Sequence, residues 1–208
     1  MMNRKMQGFA AAMTMMMMAA TGVQGAGGAG SVLGYGFVGQ VLNTSATQSL
    51  QYGYLSWVTG LDAVSPPTPV SEASAMFTFY NDTTTQQVIN NGPMRVIDRT
   101  GTSTLYFNGS GGADFSNPDS FRAGKPIQTS NLRHQVIIDT STGYFTVTFE
   151  MTVGSVRVFT VNGNTFRLGT PGQVYRWTVA GKLTTQGPPS AQIAGNASGI
   201  RAELISVD

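Results

Sequence analysis

The sequence predicts an all-β fold, a single antiparallel barrel of about eight to ten strands, with a β-sandwich as the runner-up. Three observations carry this prediction. Apolar residues recur at every second position, and no stretch shows the longer period of an amphipathic helix. Runs rich in Val, Ile, Thr, Tyr and Phe are short and are separated by Gly, Asn, Asp and Pro. The chain has no cysteine, so its core alone must hold it, and a domain of roughly 180 residues is long enough to bury one.

Taken in order, strands are expected over residues 33–42, 49–59, 75–80, 94–99, 102–107, 132–139, 144–153, 155–161, 173–183 and 199–207. Turns are read at "DRTGTS" (98–103), "DTSTGY" (139–144), "VGSV" (153–156) and "VNGNTF" (161–166), the last with the Asn-Gly pair that most strongly signals a hairpin. "SPPTPV" (65–70) is a rigid connection, and "QGPPSAQIAGNAS" (186–198) reads as a loop ahead of the final strand. The longest segment without a strand pattern is 108–131, where length alone points to a functional or mobile loop.

Residues 1–26 have the plan of a secretory signal peptide: Arg4 and Lys5 precede an apolar run from Phe9 to Ala20, followed by small residues. Residues 27–208 form the expected single domain. The apolar run is shorter than the roughly 20 residues a membrane span needs, so no span is expected, and there is no cysteine to take a lipid. The protein is therefore expected in the periplasm or outside the cell. Of its 12 basic residues, Arg4 and Lys5 belong to the leader, which leaves 10 against 10 acids and no basic face for nucleic acid. Charged residues make up only 11% of the chain, so stability should change little between about pH 4 and 8.

The only histidine, His134, is the obvious candidate for chemistry near neutral pH. Register decides what it can do. If Asp139 faces Tyr144 across "DTSTGY", then Arg133 faces Glu150, His134 faces Phe149, Val136 faces Val147 and Ile138 faces Phe145. One face is then apolar and holds His134 as a core residue without an acid partner. A second tight turn at Val153-Gly154 would set Arg157 opposite Glu150, giving the other face a row Arg133, Glu150, Arg157. Were that face the lumen, the row would anchor a carboxylate or other polar group.

Other candidates are aromatic. Tyr52 and Tyr54 are expected on one face and Trp57 on the other, while Tyr175 and Trp177 share a face; exposed, they would form a sugar-stacking platform, and buried they are core. In "NPDSFRAGKP" (117–126), Phe121 and Arg122 sit beside Asp119 and Lys125 as a lid over a pocket, against the plainer reading that Phe115 and Phe121 pin an ordinary loop. Asp114, Asn117 and Asp119 supply too few carboxylates for calcium, and no metal site is expected. "GYGFVGQ" (34–40) lacks the strand-loop-helix setting of a dinucleotide loop, so no cofactor is expected.

The general plan resembles that of small ligand-holding barrels of the calycin kind, among them lipocalins, and of the allene oxide cyclase and dirigent type; the likeness is architectural and rests on no motif. It implies an exported, non-catalytic domain that binds a small apolar or amphipathic ligand or acts as an interaction module. The alternatives are a cofactor-free isomerase or cyclase, in which a shaped cavity does most of the work, and a carbohydrate-binding module. Enzymatic activity is left open, with binding favoured. Partners compatible with this reading are a small apolar molecule, a glycan, or further copies in a homo-oligomer. The ligand reading expects an apolar cavity of about 300 Å³ or more.

Overall fold

The computed structural model describes residues 33–66 and 69–205. The expected leader lies outside them, as does the end of the last expected strand. The barrel begins with β1 (Gly34–Asn43), β2 (Gln48–Val58), β3 (Phe77–Asn91), β4 (Met94–Phe107), β5 (Lys125–Asp139) and β6 (Tyr144–Val156). The chain then leaves it through β7 (Phe159–Val161) and β8 (Asn164–Leu168), and returns as β9 (Val174–Leu183) and β10 (Ala191–Ser198). Eight strands close in the order β1-β10-β9-β6-β5-β4-β3-β2, every neighbour antiparallel. A final strand β11 (Ala202–Leu204) joins β8 and β7 in a separate three-stranded sheet. The fold is thus the closed antiparallel barrel expected from the period-two pattern, and closure leaves no open sheet edge within the ring.

Alternate residues point inward and fill the lumen with rings. Trp177 lies 4.2 Å from Phe37, 5.2 Å from Phe79, 5.5 Å from Phe149 and 6.0 Å from Tyr35, centroid to centroid. Its indole N–H donates to the Tyr35 hydroxyl at 2.8 Å, so the polar edge of the plug is satisfied. Glycines make room for these rings. A Cβ on Gly39 or Gly53 would stand 2.8 Å from the Phe79 ring, and one on Gly195 would stand 2.9 Å from Phe37. The small sheet packs over this end: Phe159 of β7 lies 5.3 Å from Phe77 and 5.5 Å from Phe107, with Leu168 and Ile200 fully buried.

A second, smaller core lies outside the barrel. Tyr52 points outward from β2 yet is buried, because the segment 108–124 folds back over it. Phe121 stands 5.2 Å from Tyr52 and 4.9 Å from Phe115, and Thr78 Oγ1 donates to the Phe121 carbonyl at 2.7 Å. A single 3-10 turn, Pro118–Arg122, places Phe121 for this contact. The plainer reading of this segment, a loop pinned by its two phenylalanines, describes it.

Several expectations need correction. The strands expected at 94–99 and 102–107 are one, since Gly101 is no turn: a Cβ there would meet the Asp82 carbonyl oxygen at 2.0 Å, so its glycine serves close packing of β3 on β4. β3 runs to Asn91 through "NDTTTQQVINN", a polar run that carries no apolar alternation to announce it. β10 lies within the stretch read as a loop, because its Ala, Gly and Asn residues have weak strand preference and are held by β1 and β9 on both sides. The turn at 153–156 does not exist. β6 continues to Val156, and its second neighbour is β9. The Asn-Gly hairpin is present between β7 and β8, with Asn162 at φ 49° and Gly163 at φ 79°.

Candidate functional site

The register read through "DTSTGY" is the one observed: Arg133 pairs with Glu150, His134 with Phe149, Val136 with Val147 and Ile138 with Phe145. It puts His134 inside the barrel and Arg133 outside. On the outer face, Glu150 is followed by Arg176 of β9, whose guanidinium stands 4.0 Å away with both side chains largely exposed. Arg157 follows the end of β6 and takes no part. The charged row is therefore Arg133, Glu150, Arg176 on the surface, and it does not anchor anything in the lumen.

The other sequence candidates are scattered. Tyr175 and Trp177 are 2% and 0% exposed and belong to the interior, so they form no sugar platform. Trp57 is 44% exposed; a bulge opposite Gly36/Phe37 shifts the alternation and turns it to the same outer face as Tyr52 and Tyr54. Phe121 is buried against Tyr52, and Arg122 lies on the surface, paired with Asp119 at 2.9 Å and 5.1 Å from the Tyr80 ring centre.

What the structure assembles instead is a pocket in the end of the lumen opposite the small sheet. Its apolar wall comes from Val41, Ile97, Val136, Ile138, Val147, Val179 and Ile193, and its polar groups are Asn43, Gln51, Arg99 and His134. Asn43 and Leu183, the last residues of β1 and β9, lie at its rim. The free space is about 70 Å³, well below the roughly 300 Å³ that the ligand reading expected.

The polar side of this lumen is a continuous belt across four strands. Gln51 pairs with Asn81, Asn81 with Ser103, and Ser103 with Ser130. Gln51 Nε2 donates to Ser49 Oγ at 3.2 Å and Thr83 Oγ1 at 3.1 Å, while Asn81 Nδ2 donates to Gln51 Oε1 at 3.4 Å. Deeper in, Tyr175 donates to Gln128 Oε1 at 2.8 Å, and Gln128 Nε2 donates to the Leu168 carbonyl at 2.8 Å.

The polar groups of this lumen are not all satisfied, and of the unpartnered ones His134 lines the pocket. Asn81 Oδ1, Ser103 Oγ and both ring nitrogens of His134 are buried without a partner among the described residues. Each such group costs about 1–3 kcal/mol unless water or a ligand meets it. His134 is 2% exposed, and burial, with the charge of Arg99 adding to it, lowers its pKa from 6.5 to about 3. It is neutral, so one ring nitrogen is a potential donor and the other a potential acceptor. Arg99 stands directly opposite it across β4 and β5. The Arg99 guanidinium donates to Thr85 Oγ1 at 3.1 Å and to Asn43 Oδ1 at 3.5 Å, and no described Asp or Glu forms an ion pair with it.

Gln51, Arg99 and Asn43 went unseen in the sequence. In β2 the apolar residues Leu50, Tyr52 and Tyr54 point outward beneath the 108–124 segment, so apolar alternation there does not mark the inward face that carries Gln51. The signal for Arg99 was its position opposite His134, which needed the β4–β5 register. Among the described residues no three His, Asp or Glu side chains converge as metal ligands, and no helix is long and apolar enough to cross a membrane. No known protein family, curated protein or solved structure matches the chain.

Proposed function

We propose that this chain is an exported, non-catalytic barrel that holds a small amphipathic molecule in the open end of its lumen. The observation that carries the reading is His134: a buried imidazole with both nitrogens unpartnered, lining a cavity whose other wall is apolar. A side chain in that state calls for an occupant with polar groups at one end and apolar surface elsewhere. Export rests on the plan of residues 1–26, with Arg4 and Lys5 ahead of the apolar run.

Holding is favoured over catalysis by the same residue. An imidazole with a pKa near 3 is a weak base at neutral pH, and the pocket lining contains no carboxylate to act beside it. A carbohydrate-binding reading rests on Trp57 alone, since Tyr175 and Trp177 are buried.

Native mass spectrometry of the purified mature protein tests the proposal. The expected result is a retained small molecule, or uptake of a small amphiphile, that is lost in a lumen-filling Val147→Phe variant with a native circular dichroism spectrum. A variant that binds as wild type does places the ligand elsewhere and overturns the reading.

A further inference from the structure

We infer that the polar end of the lumen ligand is a carboxylate, received by Arg99 and His134, so that the pocket selects a small monocarboxylic acid over a neutral molecule of the same shape. This rests on the lumen-binding reading above and adds the chemical class of the ligand to it.

Three features of the lining point to an anion. Arg99 projects into the barrel from β4, half-buried, and is the one formal cation of the pocket lining. No Asp or Glu lines the pocket, and the described ion pairs all lie elsewhere, so the lumen carries an uncompensated positive charge. A charge partly withdrawn from water is better compensated by a counter-charge than by neutral acceptors alone. Thr85 and Asn43 accept from the guanidinium, but both are neutral.

Geometry then favours a carboxylate. A guanidinium presents its donors as a planar fork that matches the two oxygens of a carboxylate, and charge-assisted bonds of this kind are about twice as strong as neutral ones. His134, across the strand pair from Arg99, offers an N–H with no acceptor of its own. One carboxylate therefore satisfies the charge and one of the orphaned nitrogens together. A single guanidinium beside a neutral imidazole compensates one negative charge, which favours a monoanion over a phosphate dianion. The space of about 70 Å³ holds the carboxylate and the first carbons of such an acid, with Val136, Val147, Val179 and Ile193 around the chain. Anything longer must emerge at the rim between Asn43 and Leu183.

The test compares butyrate with 1-butanol, which share a chain and differ at the head. Binding is followed by ¹⁵N chemical shifts of the His134 ring and the Arg99 side chain in the full mature protein. Butyrate is expected to bind at least tenfold more tightly than 1-butanol and to move both residues. In Arg99→Gln the ratio of butyrate to 1-butanol affinity falls to about one; Arg99→Lys, which keeps the charge without the fork, retains part of the preference and provides a second variant should the first fail to fold. Equal binding of butyrate and 1-butanol in the lumen overturns the carboxylate assignment and leaves the lumen reading standing. Binding of neither overturns both. Butyrate shifts confined to the surface arginines Arg133 and Arg176 also overturn the assignment, since they mark nonspecific ion binding.

Discussion

His134 and Arg99 face each other across the β4–β5 pair inside the barrel, and the imidazole and the Phe149 ring meet edge to face with centroids 4.4 Å apart at 72°. The only histidine of the chain thus has a cation on one side, a benzene ring on the other, and no acid on the inward face of either neighbouring strand. It cannot be charged cheaply there.

This arrangement makes the fold more acid-sensitive than its 11% of charged residues suggests. An unfolded imidazole takes up a proton near pH 6.5, whereas the folded one does so only near 3. Between those values the unfolded state binds more protons, so stability is lost as pH falls from about 6.5 toward 3, by up to ~1.4 kcal/mol per pH unit. His134→Phe removes this dependence. Thermal unfolding of both proteins from pH 7.5 downward should give a flatter curve for the variant, and a wild-type curve equally flat would show that His134 is not held neutral.

The two glycines that resemble turns in the sequence should respond differently to substitution. A methyl group on Gly101 would meet the Asp82 carbonyl oxygen at 2.0 Å, whereas on Gly154 its closest neighbour is the Thr129 oxygen at 3.4 Å. Gly101→Ala is expected to cost about 1–3 kcal/mol, as overpacking between strands does. Gly154→Ala should stay within about 0.5 kcal/mol. Denaturant titration of each distinguishes the cases, and a neutral Gly101→Ala would contradict the close approach of β3 and β4.

Phe121→Ala removes the ring that ties segment 108–124 to Tyr52. Loss of a buried phenylalanine costs roughly 3–5 kcal/mol when its surroundings cannot collapse. Cleavage by a protease within 108–124 is expected to accelerate, with the barrel strands still resistant. Unchanged cleavage would mean that the hydrogen bond from Thr78 and the neighbouring Phe115 hold the segment without it.

The surface row should matter little. Glu150 and Arg176 are 4.0 Å apart and largely exposed, a setting in which ion pairs contribute almost nothing measurable. Arg133→Gln and Glu150→Gln are expected to leave both the unfolding midpoint and butyrate binding at wild-type values. A loss of binding in either would move the ligand site to the outer face.

The sequence by itself determined the local grammar of this protein. Period-two alternation is a property of each strand alone, so β1, β2, β6 and β9 were legible, and "DTSTGY" fixed the pairing of His134 with Phe149 because a tight turn sets register locally. Tertiary structure decided what depends on distant partners. Gly101 and Gly154 look like turns until β3 and β5 lie beside them, and β10 has too little strand preference to be seen before β1 and β9 pair with it. Tyr52 is buried under Phe121 on the outer face of β2, so apolar character does not mark the inward face that carries Gln51. Arg99 became part of a site only when the β4–β5 register put it opposite His134 on the inner face of the barrel. That is a consequence of long-range register, which no single strand encodes.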